Sequence, residues 1–185
     1  LGGEQLLYDQ RLGEQVEVGP TSFLQANRSC EIHLNDWIVE QINPCEGMRV
    51  IDAYCGLGFY GRRIAKYGAN VIGIERNLAD DFHRTSRESG NLECLAGTVE
   101  KLLPEVMPAD ALILNPPRVG LSHSVATIVN GSGPCLVLYV SCDPATLARD
   151  IDRMKESYRV GKIRLFDLFP QTSHTETVAV MHRKT

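Results

Sequence analysis

Short apolar runs alternate with longer, more polar stretches through most of this chain. Each apolar run is bounded by glycine, proline or charged residues, a pattern typical of strands buried in the middle of a sheet. The polar stretches between the runs are long enough for helices. This alternation predicts a parallel sheet covered by helices on both faces. The predicted strands are residues 49–53, 70–75, 92–95, 111–114 and 136–140.

The C-terminal end follows a different pattern. Tyr158–Phe169 and Thr175–His182 are both strand-like, and no helix fits between them. We expect them to pair in antiparallel fashion at one edge of the sheet. A mainly parallel α/β sheet that ends in an antiparallel C-terminal hairpin is typical of Rossmann-like S-adenosylmethionine-dependent methyltransferases, whereas a dinucleotide dehydrogenase usually continues with further βα units.

The first nineteen residues differ from the rest. Residues 1–19 are polar and rich in glycine, with an alternation over Glu14–Val18 that predicts an edge strand. We interpret them as a lead-in from a missing N-terminal region, because the chain does not begin with methionine. Residues 20–185 then form one catalytic domain, which is long enough to bury a core.

Composition narrows the class of protein. The chain has 185 residues, of which 43% are hydrophobic, and no apolar run reaches the length of a membrane helix. Its six cysteines form no C-x-x-C pair, so we expect no metal site and a reducing cytoplasmic location. The net charge of -4 gives little overall attraction for a polyanion. If the substrate is RNA, another segment must supply much of the affinity.

A glycine-rich loop follows the first predicted strand of the domain. Residues 56–61 read G-x-G-x-x-G, and Glu75 comes about 20 residues later, at the end of the next strand. Glycines let a ligand lie against the backbone, and an acid at that position accepts hydrogen bonds from ribose hydroxyls. The loop alone does not separate NAD from S-adenosylmethionine. Asp52 beside the loop suits an amino group or sulfonium, and Tyr54 offers an aromatic face to a cation.

Several polar or special residues follow the ends of the parallel strands. Tyr54 and Gly56 follow the first strand, Glu75 ends the second, Asn115 ends the fourth and Cys142 follows the fifth. In an open α/β sheet these points meet at the edge where ligands bind. They therefore predict a cofactor site beside a thiol.

Cys142 lies between a predicted strand and a predicted helix. Asp143 can cap that helix and Pro144 suits its first turn, so the thiol lies at a helix N-terminus, which favours a nucleophilic thiolate. The negative charge of Asp143 works against that effect. Downstream, His174 and Glu176 face the same way if extended, and the carboxylate is a candidate base.

Other functions remain open at this point. Asn115-Pro116-Pro117 also occurs in enzymes that methylate exocyclic amines, although those usually continue with an aromatic residue. A non-catalytic S-adenosylmethionine-binding remnant is a further alternative. We expect Arg62, Arg63 and Lys66 on a solvated helix face. We also expect Arg159, Lys162 and Arg164 to be an ordinary surface, although they could contact phosphate.

The chain resembles a known family through five motifs that occur in order. They are similar to motifs of the RNA uracil-5-methyltransferases, which modify transfer RNA and large-subunit ribosomal RNA. The similarity covers roughly Gly19 to Lys184. The motifs are residues 22–27 (SFLQAN), 52–58 (DAYCGLG), 115–120 (NPPRVG), 139–150 (YVSCDPATLARD) and 167–176 (DLFPQTSHTE).

The resemblance implies a reaction and residue roles. Cys142 matches the nucleophile that adds to carbon 6 of uracil, and Glu176 matches the base that removes the carbon 5 proton. The implied cofactor is S-adenosylmethionine, and the implied substrate is a uridine in RNA, ribosomal RNA rather than transfer RNA by our expectation. The resemblance further implies an N-terminal RNA-binding module, which we expect to belong to the missing N-terminal region and to aid RNA binding. The positions that match cofactor contacts are Gln25, Tyr54, Glu75 and Asn115.

Two positions depart from the family's usual pattern. Asn115 stands where the family usually has aspartate, which keeps hydrogen bonding but removes a charge. Asp143 stands where the family usually has asparagine, beside the nucleophile. We therefore expect weaker cofactor or uracil affinity from the first change and a less readily ionised thiol from the second.

Overall fold

The computed structural model describes residues 7–11, 14–18, 27–77, 90–172 and 175–185. Two candidate site residues named above, Gln25 and His174, lie outside the described residues. The polar stretch over residues 80–88, for which the sequence pattern predicts a helix, also lies outside them. Within the described part, none of the helices is both long enough and apolar enough to cross a membrane.

Strands and helices alternate as the apolar pattern predicts. The strands of the described part are β1 (Leu7–Arg11), β2 (Glu14–Val18), β3 (Arg49–Ala53), β4 (Asn70–Glu75), β5 (Leu92–Ala96), β6 (Ala111–Leu114), β7 (Leu136–Ser141), β8 (Tyr158–Phe166) and β9 (Glu176–Arg183). The helices are α1 (Arg28–Ile42), α2 (Phe59–Ala65), α3 (Val99–Val106), α4 (His123–Ser132) and α5 (Pro144–Met154).

Seven strands form one sheet in the order β5-β4-β3-β6-β7-β9-β8. The strands from β5 to β7 in this order are parallel, whereas β9 is antiparallel to both β7 and β8. This confirms the mainly parallel sheet and the C-terminal antiparallel hairpin. β8 ends at Phe166, earlier than the sequence suggested, and β9 begins at Glu176. β1 and β2 pair separately as an antiparallel two-stranded sheet.

The core lies on both faces of the seven-stranded sheet. Side chains of a strand alternate between the faces, so Ile113 packs with α1 and α2 while its neighbours Leu112 and Leu114 pack with α3, α4 and α5. All three residues are fully buried. Covering both faces leaves the carboxyl edge of the parallel strands as the place where loops, and therefore functional groups, are exposed.

Local sequence signals fix where the helices begin and end. The Asn27 side chain accepts a hydrogen bond from the Cys30 N–H at the start of α1, and Asn43 ends that helix in a left-handed conformation with φ of 48°. β6 ends just before Pro116, whose ring cannot donate to a strand ladder. The loop that follows β6 therefore begins at Asn115, at the carboxyl edge of the sheet.

Candidate functional site

A cavity of about 770 Å³ opens at the carboxyl edge of the parallel strands. Three residues predicted to contact the cofactor line it, namely Tyr54, Glu75 and Asn115. Their strands, β3, β4 and β6, are neighbours in the sheet, which brings the three strand ends together. The walls further include the start of α3 at Thr98 and the loop around Gly120. Gly56 is not part of the wall, although it belongs to the adjoining loop.

Left-handed backbone conformations shape the loop between β3 and α2. Tyr54, Gly56 and Gly58 have φ values of 62°, 54° and 71°. Glycine adopts this region freely, whereas Tyr54 does so at a cost of roughly 1 kcal/mol or more. Gly61 packs closely, because a Cβ there would lie 3.2 Å from Val71 and from Leu92. The glycine-rich loop therefore serves both a tight turn and close contact between helix and sheet.

The Glu75 carboxylate organises this loop. Its Oε2 accepts a hydrogen bond from the Gly56 N–H at 3.1 Å, and its Oε1 accepts from the N–H groups of Arg76 and Asn77 at 2.8 and 3.2 Å. Each carboxylate oxygen has further lone-pair capacity. Glu75 therefore fixes the turn at Gly56 and still faces the cavity, where ligand hydroxyls can donate to it.

Asp52 lies in a different place from the one suggested by the sequence. The residue is fully buried beneath the glycine-rich loop, where its Oδ2 accepts a hydrogen bond from the Gly61 N–H at 3.1 Å. Its Oδ1 is buried without a hydrogen-bond partner. Desolvation raises the pKa of Asp52 to about 7. Asp52 thus supports the loop from inside the protein instead of meeting a sulfonium or amino group.

Arg62 is also placed differently from our expectation. It is buried, with 7% of its surface exposed, and its Nε donates to the Leu57 carbonyl at 3.1 Å. Arg62 therefore braces the glycine-rich loop, while Lys66 is exposed as expected.

Asp150 joins the far wall of the cavity to the segment that carries Cys142. This aspartate of α5 is fully buried, and its carboxylate accepts hydrogen bonds from the Leu121 N–H at 2.8 Å and the Tyr139 hydroxyl at 2.7 Å. Arg149 and Arg153 also donate to it, each at 3.0 Å. Both arginines also donate hydrogen bonds to backbone carbonyls of the loop after β6, at Val119 and Leu121. One carboxylate thus holds three elements together.

Sequence reasoning missed this role of Asp150. A usable signal existed, because Leu147, Asp150 and Met154 recur at helical spacing and all three are buried. An acid on the apolar face of a helix must find partners in the core, since an unpaired buried charge is costly.

Cys142 lies at a tight turn between β7 and α5. The Ser141 hydroxyl accepts a hydrogen bond from the Asp143 N–H at 3.1 Å, which bends the chain around the partly exposed thiol. The Asp143 side chain accepts from the Thr146 N–H at 2.7 Å, and Pro144 begins the helix, as predicted. This hydrogen bond to Thr146 lowers the pKa of Asp143. Asp143 therefore carries its negative charge beside Cys142.

Glu176 lies beside the same turn, on the neighbouring strand. Ser141 pairs with Thr177 in the β7–β9 register, so Cys142 is one residue beyond this pair and Glu176 is one residue before it. Opposite residues of an antiparallel pair lie close together on one face of the sheet. Both predicted site residues therefore lie at the same end of the β7–β9 ladder, each one residue past its last pair.

The environment of the Glu176 carboxyl is apolar. Only 5% of the residue is exposed, and desolvation raises its pKa to about 7. Burial also raises the pKa of Tyr60, and the nearby charges of Glu176 and Asp52 add to that effect. Within the described ranges, no three His, Cys, Asp or Glu side chains group as metal ligands.

Comparison with known proteins connects this site with RNA methyltransferases. Residues 99–184 match the family model described as tRNA (uracil-5-)-methyltransferase. An RNA methyltransferase of Prochlorococcus marinus is 36% identical over 195 residues, covering 100% of this chain and 46% of the relative. The tRNA (uracil(54)-C(5))-methyltransferase of Pyrococcus horikoshii is 34% identical, covering 88% of this chain and 39% of the relative.

A solved structure supports the same grouping. The tRNA (uracil-54, C5)-methyltransferase of Pyrococcus abyssi, in complex with S-adenosyl-L-homocysteine, superimposes with a TM-score of 0.79 at 29% identity over 97% of this chain and 45% of that one. The chain thus spans less than half the length of these relatives. By sequence motifs and fold, this chain is similar to the tRNA (uracil-5-)-methyltransferases, and its residues 99–184 match the model of that family.

Proposed function

We propose that this chain is the catalytic domain of an S-adenosylmethionine-dependent methyltransferase that methylates carbon 5 of a uridine in RNA. One observation carries the proposal: Cys142 and Glu176 each lie one residue past the last pair of the β7–β9 ladder, at the same end of that ladder. The cavity lined by Tyr54, Glu75 and Asn115 opens at the same edge of the sheet.

The residues around the cavity fit S-adenosylmethionine. Glu75 ends β4 at the position where an acid accepts hydrogen bonds from ribose hydroxyls. The half-buried Tyr54 offers an aromatic surface, and the Asn115 side chain offers both a donor and an acceptor. Gly56 gives close access to the backbone, and Gln25 completes the proposed contact set. When bound, this cofactor supplies an electrophilic methyl group.

Cys142 would make uracil reactive. Carbon 5 of uracil is a weak nucleophile, but addition of the thiolate to carbon 6 moves electron density through the ring to carbon 5 and the carbonyl. The partly exposed position of Cys142 at the start of α5 leaves its sulfur accessible for this attack.

Glu176 would complete the reaction as a general base. After methyl transfer, carbon 5 carries both a proton and a methyl group, and the proton must leave before the Cys142–carbon 6 bond can break. A carboxylate accepts that proton best when its pKa lies near the working pH. The pKa of about 7 that burial gives Glu176 meets this requirement.

The RNA class is the finer part of the proposal. Two relatives with a stated substrate act on uracil 54 of transfer RNA, whereas our sequence-based expectation favours ribosomal RNA. The chemistry proposed for Cys142 and Glu176 is the same for both. Methylation assays with a transfer RNA transcript and a 23S ribosomal RNA transcript, followed by nucleoside mass spectrometry, decide between them.

A covalent trap tests the mechanism. RNA that contains 5-fluorouridine has no removable proton at carbon 5, so the wild-type protein with cofactor should form a stable protein–RNA adduct. Cys142→Ala should abolish the adduct. Cys135→Ala, which removes an exposed thiol elsewhere, should keep it. An adduct that survives Cys142→Ala would exclude the proposed nucleophile.

The same variants separate this function from amine methylation by the Asn115-Pro116-Pro117 segment. An amine already carries the lone pair that attacks the methyl group and requires no thiol. Full methyl transfer by Cys142→Ser would therefore favour the amine reaction.

A further inference from the structure

Basic and apolar side chains are sorted onto opposite faces of β8, the edge strand of the sheet. Register pairs share a face, so Val160 lies on the face of Met181 and Ile163 on that of Ala179, where Val160 and Ile163 are themselves exposed. Met181 and Ala179 pack with α4 and α5 on this face. The basic residues lie on the α1 face. They are Arg159, Lys162 and Arg164, which pair with His182, Val180 and Val178 of β9. We call these three basic residues the β8 basic stripe.

A bulge at Gly161 produces this sorting. The register shifts between Val160 and Lys162, so that Gly161 has no partner on β9. In a regular strand, Arg159 and Lys162, three positions apart, would point to opposite faces. The bulge places both on the α1 face. Any larger residue at position 161 would have to displace the His182 ring, because a Cβ there would lie 2.8 Å from it.

The α1 face holds the basic groups in position while leaving them exposed. The Arg164 guanidinium lies 5.0 Å from the Phe166 ring centroid and 5.7 Å from that of Trp37. Lys162 Nζ donates to the Gln41 side chain of α1 at 2.9 Å. All three basic residues are nevertheless exposed. In these contacts the partners of Lys162 and Arg164 are uncharged, so the positive charges of both side chains are available to an anion.

The stripe leads to the proposed reaction site. Phe166 pairs with Glu176, and Arg164 lies two residues before Phe166 on the same face, roughly 7 Å along the strand. Arg159 lies roughly 14 Å further along the sheet than Arg164, because their partners Val178 and His182 are four residues apart on β9. The stripe therefore extends from the neighbourhood of Glu176 toward the far end of the edge strand.

We propose that the β8 basic stripe binds phosphates of the RNA strand whose uracil enters between Cys142 and Glu176. The inference rests on the proposed function and adds a path for the RNA beyond the reacting base. It accounts for three cations on one face in a chain whose net charge is -4. RNA phosphates provide the complementary charge in a row.

A second role for such residues is known from edge strands in general. Charged side chains and bulges protect an edge strand from pairing with another copy of the chain. That role predicts changed association of the protein without a change in RNA affinity, so the two explanations differ in a measurable way.

The test compares two triple variants that lose equal charge. Arg159→Gln/Lys162→Gln/Arg164→Gln removes the stripe, and Lys66→Gln/Lys101→Gln/Lys155→Gln removes three exposed cations elsewhere. The full chain is titrated with a transfer RNA transcript and with a 23S ribosomal RNA hairpin across a salt series. We expect the stripe variant to raise Kd roughly 10- to 100-fold. The slope of log K against log salt should fall in magnitude by roughly 2 to 3, because each of the three lost phosphate contacts contributes roughly 0.7 to 0.9.

Two further measurements keep the result interpretable. Arg159→Gln/Lys162→Gln leaves Arg164 on its aromatic partners and should raise Kd by an intermediate factor without a change in folding. S-adenosylmethionine affinity should stay unchanged in every variant. Equal RNA affinity of the two triple variants, absence of RNA binding by the wild type, or association of the stripe variant at unchanged RNA affinity would each overturn the inference.

The outcomes also separate this inference from the proposed function. If the wild type forms the 5-fluorouridine adduct but the stripe variant binds RNA normally, only the RNA path is wrong. If the wild type forms no adduct and methylates neither RNA, the proposed reaction itself fails.

Discussion

Cys142 and Glu176 occupy adjacent positions at one end of the same ladder, each one residue from the terminal pair of β7 with β9. Glu176 also pairs with Phe166 of β8, so it lies between two strands and is almost fully buried. The thiol follows the end of its strand and is partly exposed. This difference in exposure suits the two proposed roles, because a nucleophile must reach the ring whereas a base benefits from a raised pKa.

The pH dependence of methylation should report Glu176. Its pKa of about 7 means that the carboxylate form, which accepts the proton, increases as pH rises through 7. We expect kcat to rise over this range and then level off. Glu176→Gln should lower kcat roughly 10²- to 10⁴-fold and let the covalent protein–RNA intermediate accumulate on unmodified RNA. Rates from pH 5.5 to 8.5 and denaturing gels check this.

Glu40→Gln is the matched control for that experiment, because Glu40 is exposed on α1. It should leave both the rate and the pH profile unchanged. A Glu176→Gln variant that turns over at the wild-type rate would remove Glu176 from the mechanism.

Stability should fall as pH rises, on account of two buried acids. Burial raises the pKa of Glu176 from 4.5 and that of Asp52 from 3.8, both to about 7. Between the ordinary and the raised values the folded state binds more protons than the unfolded state, so the free energy of unfolding decreases with pH. Glu176→Gln should therefore increase that free energy by roughly 1–3 kcal/mol at pH 8 and by much less at pH 5. Urea unfolding at both values measures the difference, and an equal effect at both would contradict the assignment.

Asp150 and Asp152 provide a comparison within one helix. Asp150 is buried and holds the wall of the cavity, whereas Asp152 is exposed and bonds only Lys155 among the described contacts. Asp150→Asn removes the charge that Arg149 and Arg153 share, which should destabilise the fold by roughly 3–5 kcal/mol. Because the loop after β6 depends on these bonds, cofactor affinity should fall as well. Asp152→Asn should change either quantity little.

Calorimetry with S-adenosylmethionine and thermal unfolding measure both effects. If Asp150→Asn lowers stability while cofactor affinity stays at the wild-type value, the network supports the fold without shaping the cavity.

The sequence predicted the sheet because buried strands have a strong local signature. The run from Leu112 to Leu114 is apolar at every position, as a strand covered on both faces must be. The rule that strand ends meet at one edge then placed Tyr54, Glu75 and Asn115 around one cavity. Their cofactor contacts, and that of Gln25 outside the described residues, stay predictions.

Other features depend on packing that no local pattern encodes. Asp52 was expected to face a ligand, but the path of the backbone turns it into the core beneath Gly61. Arg62 was expected in solvent, yet it is buried and donates a hydrogen bond to the Leu57 carbonyl of the loop. The bulge at Gly161 moves Lys162 to the other face of its strand. In each case one backbone detail decides the direction of a side chain, and a periodic pattern assumes a regular backbone.

Among the glycines that line the cavity, Gly120 should be the one whose replacement by alanine costs the most stability. Its φ is 75°, and a Cβ there would lie 2.3 Å from the Asp150 carboxylate and 2.3 Å from Thr146. Gly120→Ala must therefore strain the backbone and displace the carboxylate that holds Leu121 and Tyr139. We expect a loss of roughly 2–4 kcal/mol in stability, together with weaker cofactor binding. Thermal unfolding and calorimetry measure the two effects.

Gly131→Ala is the control for Gly120→Ala, because the same atom is added where no neighbour lies within 4 Å. Gly131 belongs to α4, so alanine there should be neutral or stabilise the protein by up to about 1 kcal/mol. The opposite signs follow from the surroundings, since both substitutions add one methyl group to glycine. Should both variants keep wild-type stability and cofactor affinity, the close contact between the loop after β6 and α5 would have no energetic importance, and the role given to Asp150 would fail with it.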